Sequence, residues 1–253
     1  MTTGASVLDL SPAGTATPWL PRVLRQAAFE TTIALRNGEQ LLLTLVLPAL
    51  VLVGVTRVTS LDLGDGPRPA LALGGVVALA VVSTAFTGQA IGTGFDRRNG
   101  VLRLLATSPL GRSGLLAGKV LSVLALVVVQ VLVLGLIAGF LGWSPSASAL
   151  AAVPALLLGA AAFTALGLLL AGTVRAEGTL AVANFVWVLL LAGGGLVLPS
   201  PLAPVTDVLP SGALGTAVRE ALAGGTVAAG PLVVLGVWTV ACSLACARWF
   251  RWE

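Results

Sequence analysis

The amino-acid sequence predicts an all-α integral membrane protein with six transmembrane helices. Of its 253 residues, 57% are hydrophobic and 9% are charged, and this composition leaves too little polar surface to cover a soluble globule of that size. Several uncharged runs exceed about 18 residues, the length that indicates a bilayer span. The cations lie mostly at the ends of these runs, as they do in membrane proteins.

The first 40 residues are predicted to form a cytoplasmic tail and an interfacial helix. Thr17 and Pro18 are typical of an N-cap and a first helical position. One face of the following helix carries apolar side chains, namely Trp19, Leu20, Val23, Leu24, Ala27 and Ala28. Because charged residues occupy the other faces, the pattern favours an amphipathic helix lying on the membrane surface. A plain soluble tail is the alternative.

Six apolar spans are predicted after this helix, at residues 41–60, 70–94, 115–142, 149–173, 179–198 and 226–247. Each contains about 20 residues or more, which at about 1.5 Å per residue crosses the roughly 30 Å hydrocarbon layer. The chain is therefore predicted to be one domain over residues 1–253. It would comprise the tail and interfacial helix (1–40), the six-span unit (41–247) and a cytoplasmic tail (248–253).

The distribution of cations predicts the orientation of the spans. With the N-terminus inside, the inner segments hold eleven of the 14 lysines and arginines, and the outer segments hold only Arg57, Arg68 and Arg219. The positive-inside rule then places both termini in the cytoplasm. The net charge of +4 is explained by these topology signals, so no nucleic-acid partner is predicted.

The outer segment at residues 199–225 contains four prolines, followed by apolar residues at helical spacing. Arg219 and Glu220 lie on a separate face, and Gly224 and Gly225 provide a stop signal. The pattern predicts a short outer helix before the last span. Such a helix either dips into the outer leaflet or lies exposed on the surface, and the sequence favours neither.

Catalytic and ion-coupling chemistry has no candidate residues within the predicted spans. Every Asp, Glu, Lys and Arg lies outside the predicted spans or, for Arg57 and Lys119, within a few residues of a span end, and the sequence contains no histidine. A proton-coupled transporter needs ionisable groups inside the membrane, and a hydrolase needs a nucleophile with a base or a metal cluster. The chain is therefore predicted to lack a catalytic site, a metal and a bound cofactor, and to take energy for vectorial work from a partner.

Three amides are the most polar side chains of the spans. Gln130 lies near the middle of span 3, and Gln89 and Asn184 lie nearer the ends of spans 2 and 5. They are candidates for contacts along a substrate path. For Gln130 an interhelical hydrogen bond is the alternative.

The loop at residues 95–119 concentrates charge, because it contains five of the 14 cations in the chain. Asp96, Arg97 and Arg98 precede an apolar pattern that predicts a short amphipathic helix at about 99–106, which Pro109 ends. A cytoplasmic anchor would need only the charge. The leucines at helical spacing add an apolar ridge that could enter a groove on another protein.

The segment GVLRLLATSPLGRSGLLAGK resembles the signature of type-2 permeases of ATP-binding-cassette (ABC) exporters. That signature has a Gly-x-Leu-x-x-Leu helix, a Thr-Pro-Leu with a nearby basic residue, and a Gly-Lys that enters the next span. The matching residues are Gly100, Leu102, Leu105, Thr107, Pro109, Leu110, Arg112, Gly118 and Lys119. Ser108 separates the threonine from the proline, and Arg103 stands where an acidic residue would be expected. The six-span layout resembles the family over nearly the whole chain.

By this resemblance the loop is a coupling helix that docks on a separate nucleotide-binding ATPase subunit, which would bind ATP and Mg. The coupling residues would be Arg97, Arg98, Gly100, Leu102, Leu105, Thr107, Pro109 and Arg112. Two permease chains, identical or not, would pair in the cytoplasmic membrane and move a hydrophobic or amphipathic cargo, such as a drug, an antibiotic or a lipid-like molecule, along their interface. Spans 1, 2 and 5 would shape that path.

Two other functions remain open at this point. A non-transporting membrane regulator or assembly factor could use the 95–119 loop to hold a cytoplasmic partner. The second is that the chain is a membrane enzyme acting on lipid.

Overall fold

The computed structural model describes residues 17–200 and 203–250, and within these residues all regular secondary structure is helical. Most of the predicted N-terminal tail (1–16), residues 201–202 and the last three residues lie outside the described part. The helices are α1 (Trp19–Arg36), α2 (Gly38–Leu41), α3 (Leu47–Arg57), α4 (Arg68–Val82), α5 (Gln89–Arg98), α6 (Val101–Ala106), α7 (Gly111–Phe140), α8 (Ala152–Thr173), α9 (Ala176–Gly193), α10 (Ala203–Thr206), α11 (Pro210–Gly224) and α12 (Ala229–Trp249). A 3₁₀ turn at Ala147–Ala151 precedes α8.

Two π-helical segments interrupt the first two spans. The π1 segment (Leu42–Val46) joins α2 to α3, and the π2 segment (Ser83–Gly88) joins α4 to α5. Spans 1 and 2 are therefore continuous helices with one locally widened turn each.

Six helices of the described residues are long and apolar enough to cross a membrane, which confirms the predicted number of candidate spans. They are Gly38–Arg57, Arg68–Arg98, Ser113–Phe140, Ala147–Thr173, Ala176–Gly193 and Ala229–Trp249. Their bounds agree with the prediction to within a few residues in most cases. The clearest difference is span 5, which was predicted to continue to residue 198 but ends at Gly193.

Three consecutive glycines explain the early end of span 5. Gly195 adopts a φ of +68°, a left-handed conformation that glycine tolerates at no steric cost. The backbone leaves the helix there, although Leu196 and Val197 continue the apolar run and are buried. Apolar composition predicted burial of these residues correctly, but it could not distinguish a helix from a buried segment without regular secondary structure.

Span 2 forms the centre of the bundle. All residues of α4 from Ala70 to Val82 are buried, whereas in each of the other candidate spans no more than half of the most apolar stretch is buried. The core around α4 includes Leu52 of α3, Leu134 of α7, Phe163 of α8 and Leu235 of α12. Span 2 therefore contacts most of the other helices and is the part of the fold that is held most firmly.

The helix α1 packs along the start of α7, where two glycines permit a close approach. A Cβ at Gly118 would lie 2.8 Å from Gln26 Cγ, and one at Gly114 would lie 3.4 Å from Trp19 Nε1. Val23, Ala27 and Ala34 form the buried face of α1, and Leu20, Leu24 and other large apolar side chains are exposed. An exposed apolar stripe of this kind is typical of an interfacial helix.

The helix α11 is almost entirely buried between α4, α8 and α12, so an exposed outer helix is wrong for this segment. Trp238 of α12 donates from Nε1 to Val208 O at 2.9 Å. Trp238 is the tenth of the 21 residues of α12, and Val208 is 59% exposed. The segment before α11 is thus bonded to the middle of α12 at the surface of the bundle.

A buried arginine holds α11 to the irregular segment after span 5. Arg219 donates from Nη1 to Gly195 O at 3.1 Å and to Leu196 O at 2.6 Å. Burial lowers the pKa of Arg219 to about 10, so its guanidinium stays protonated at pH 7. The cation therefore satisfies backbone carbonyls that would otherwise be buried without a donor.

Candidate functional site

The loop between spans 2 and 3 folds into a short helix, as the sequence predicted. α5 ends at Arg98, and Gly100 follows in the left-handed conformation with a φ of +73°. Its carbonyl accepts the first hydrogen bond of α6, from Leu104 N at 3.2 Å. Gly100 thus closes one helix and opens the next, and glycine suits this position because other residues are strained at such a φ.

The two faces of α6 have different environments, and this corrects the predicted ridge. Leu102 is 1% exposed and packs with Val23, Leu110 and Leu115 in a cluster that we call the loop core. Leu105 packs against the same cluster. The ridge that was expected to enter a groove on another protein is therefore turned inward, because α1 and α7 already cover it.

The outward face of α6 consists of different residues. Leu104 is 73% exposed, and Val101, Arg103 and Thr107 are exposed beside it. Arg98, Gly100 and Pro109 are also exposed at the ends of the helix. Of the predicted coupling residues, Arg98, Gly100, Thr107 and Pro109 thus face outward. The side chain of Arg112 lies outside the described part of the structure.

Two arginines fasten the loop to neighbouring segments. Arg22 of α1 donates from Nη1 to Pro109 O, and Arg97 donates from Nη2 to Val174 O between spans 4 and 5. Arg97 was predicted to contact a partner, but in the structure its guanidinium is occupied within the chain. These contacts hold the loop against the end of the helix bundle.

Lys119 forms ion pairs that the sequence did not indicate. It is 5% exposed, and its Nζ lies 3.4 Å from Glu30 Oε1 of α1 and 3.2 Å from Asp96 Oδ2 of α5. Both carboxylates could be recognised as residues near span boundaries, but nothing in a single sequence shows that they meet. The three charges connect α1, α5 and α7 beneath the loop core.

The three amides proposed for a substrate path do not line one cavity. Gln130 is buried and donates from Nε2 to Thr84 Oγ1 at 2.6 Å and to Thr44 O at 3.0 Å, so it makes the interhelical hydrogen bonds that were the alternative. Gln89 is half-buried at a cavity beside α1. Asn184 is exposed on the surface of α9.

The short helix α6 is tied to several neighbouring helices at once. Among the described residues, no group of three or more His, Cys, Asp or Glu is placed to hold a metal ion. The loop core, the two arginine contacts and the Lys119 ion pairs bind α6 to α1, α5 and α7 at once. A partner that moved the outward face of α6 would therefore move several helices together.

Six helices that are long and apolar enough to cross a membrane, with a short helix held across one end, indicate a multi-pass membrane protein. The family model described as ABC-2 family transporter protein matches residues 41–248, and the chain belongs to this family. Members of this permease family normally work with an ATPase partner. No curated protein matches the chain at a significant level of similarity.

Proposed function

We propose that the chain is the permease subunit of an ATP-driven exporter, which moves a hydrophobic or amphipathic cargo out across the cytoplasmic membrane. A separate ABC-type ATPase subunit would supply the energy and bind ATP and Mg. Both termini and α6 would face the cytoplasm, in agreement with the eleven cations counted on that side. Two permease chains, identical or different, would complete the transporter.

One observation carries this proposal, namely the opposite faces of α6. Leu102 anchors the helix in the loop core, while Leu104 presents an apolar side chain at 73% exposure between Arg103 and Thr107. An exposed leucine at a charged, water-facing end of the bundle gains free energy when a partner covers it. A rigid connection on one side and a docking surface on the other are what a force-transmitting helix needs.

The surface of span 5 supports a second chain beside this one. Asn184 is the ninth residue of α9 and is exposed, so it lies near the middle of an 18-residue span. An amide facing hydrocarbon without a partner is unfavourable, and such side chains usually face another helix or a water-filled path. This position supports a path or a permease interface along span 5.

A largely apolar cavity supports the proposed class of cargo. It measures about 450 Å³ and lies between spans 1, 2 and 5, with Leu47, Leu79 and Trp187 among its lining residues. Ligand cavities of several hundred Å³ with mainly apolar walls suit small hydrophobic molecules. A drug, an antibiotic or a lipid-like molecule would fit this description.

The experiment that tests the function is reconstitution with an ABC-type ATPase subunit that co-purifies with the chain. The purified complex in liposomes should move a fluorescent amphipathic dye only when ATP is added. Leu104→Asp should reduce this movement at least tenfold, because the charge would be buried on docking. Thr173→Asp, an exposed position at the same end of the bundle but away from α6, is the matched control and should transport normally.

The alternative function predicts a different result in the same assay. A regulator or assembly factor that holds a partner through the 95–119 loop would bind the ATPase and change its hydrolysis rate without moving any dye. Binding without transport over a panel of cationic, neutral and anionic amphiphiles would therefore favour the regulator. ATP-dependent movement of any of them would favour the exporter.

A further inference from the structure

A single side chain of span 3 contacts both π-helical segments. Gln130 donates to Thr44 O in π1 at 3.0 Å and to Thr84 Oγ1 in π2 at 2.6 Å. Gln130 is 2% exposed and Thr84 is 1% exposed, so the contact is shielded within the bundle. One amide therefore joins spans 1, 2 and 3 where the first two depart from the α-helical pattern.

Each π-helical segment contains a hydroxyl that bonds the carbonyl four residues earlier. Thr44 donates from Oγ1 to Gln40 O at 2.7 Å, and Ser83 donates from Oγ to Leu79 O at 2.9 Å. Such a hydroxyl competes with the backbone N–H for that carbonyl. In π1, Leu47 N–H bonds Leu42 O, five residues earlier. Such widened turns are frequent at functional positions of helices.

The π2 segment divides span 2 into two parts with different surroundings. The part before it, α4, is buried from Ala70 to Val82. The part after it, α5, leads to the loop, and Asp96 on that part keeps a side chain that is 36% exposed. The first part is fixed by the core and the second carries α6. A displacement of α6 would therefore bend span 2 at π2.

Two polar atoms in and beside the π2 segment lack a hydrogen-bond partner within the described residues. They are Gln130 Oε1, an acceptor, and Thr87 Oγ1, a hydroxyl that can donate. A buried polar atom without a partner is unfavourable, and an arrangement that pairs it lowers the free energy. An arrangement of the π1 and π2 segments that paired these two atoms would therefore be favoured.

We propose that Gln130 is a positioning residue that holds π1 and π2 in register, and that these two segments form the hinge through which motion of α6 reaches spans 1 and 2. The inference rests on the proposed function, because only a bundle driven from α6 needs such a hinge. Gln130 acts through the backbone of π1 and the hydroxyl of Thr84, and it need not touch the cargo.

Hydrogen exchange measured by mass spectrometry on the full chain in lipid nanodiscs tests the hinge. Gln130→Leu removes both donors and should raise amide exchange at least tenfold in residues 42–46 and 83–88. Thr84→Val removes one acceptor, so exchange should rise in 83–88 alone. Ser122→Ala is the matched control, because it breaks an interhelical bond from the same span, that from Thr31 Oγ1 at 3.1 Å, and should change neither segment.

Three results would overturn the inference. These are unchanged exchange in both segments of Gln130→Leu, a uniform rise over the whole chain, and an equal rise of both segments in Thr84→Val. The measurement needs no ATPase and no cargo, so its failure would leave the permease function standing. Conversely, a chain that moved no dye with its ATPase could still show the segment-specific exchange.

Discussion

Lys119 Nζ lies 3.4 Å from Glu30 Oε1, and this ion pair joins the helix that precedes the spans to the third span. The same ammonium lies 3.2 Å from Asp96 Oδ2 at the end of the second span. One buried cation thus fixes three segments that meet beneath α6. Because the lysine is shielded from water, its loss would leave two carboxylates near an apolar cluster without a counter-charge.

Replacing this cation should destabilise the loop end of the bundle. We expect Lys119→Met to lower the free energy of unfolding by about 3 kcal/mol, near the low end of the cost of breaking a buried ion pair, since Asp96 is partly solvated. Thermal unfolding in detergent would show the change as a lower midpoint. Arg98→Met, which removes an exposed cation two residues from Asp96, should leave the midpoint nearly unchanged. Equal midpoints for both variants would contradict a structural role for the ion pairs.

The two neighbouring leucines of α6 should respond differently to truncation. Leu102→Ala would leave a cavity in the loop core and should cost about 2 to 5 kcal/mol. Leu104→Ala removes an exposed side chain and should change stability by no more than about 0.5 kcal/mol. Limited proteolysis of the loop at rising temperature would compare them. Faster cleavage in Leu104→Ala than in Leu102→Ala would show that the assigned faces of α6 are reversed.

The behaviour of α6 shows how far the sequence could predict the site. The spacing of its leucines and the proline after them predicted a short amphipathic helix correctly. Which apolar face is buried depends on Val23 and Leu115, and their position relative to α6 is set by tertiary packing. Periodicity defines the faces of a helix but not their neighbours, so Leu102 was assigned to the wrong side.

The buried guanidinium of α11 should be required for the order of the segment after span 5. Arg219→Met would leave Gly195 O and Leu196 O without their donor, and we expect a loss of about 2 kcal/mol, since a hydrogen bond from a charged group contributes about 1.5 to 3 kcal/mol. Protease sensitivity at residues 194–200 would measure the loss of order in this segment, and the unfolding midpoint would measure the loss of stability. Arg57→Met changes an exposed cation and serves as the control. A midpoint that rose in Arg219→Met would mean that the desolvation cost of the charge exceeds its hydrogen bonds.

The number of spans could be predicted because hydrocarbon imposes a length and a composition on each helix that crosses it. The same rule explains what could not be predicted. Leu196 and Val197 lie in an irregular segment inside the bundle, where Arg219 replaces the helical hydrogen bonds. Inside a membrane protein, irregular backbone is tolerated only when other groups of the protein form hydrogen bonds with its N–H and C=O groups. The pattern of apolar residues along the sequence does not show which distant side chain will bond these backbone groups.

The crossing of span 2 and the irregular segment after span 5 should be sensitive to an added methyl group. A Cβ at Gly75 would lie 2.6 Å from Val197 O and 2.8 Å from Val197 Cα, both backbone atoms. The α4 helix is buried on every side there, so neither partner can move aside without disturbing the core. We expect Gly75→Ala to lower the free energy of unfolding by about 1 to 3 kcal/mol, the usual cost of overpacking.

Gly139→Ala separates this steric effect from the general effect of alanine in a helix. Gly139 lies in α7, and a Cβ there meets no atom within 4 Å, so the substitution should stabilise the chain by about 0.5 to 1 kcal/mol through a lower entropy cost. The unfolding midpoints of the two variants in the same detergent should therefore shift in opposite directions. An upward shift of the Gly75→Ala midpoint as well would mean that the backbones of α4 and of residues 194–198 have room between them. The contact between these two segments, beside which Arg219 bonds its two carbonyls, would then be looser than the structure shows.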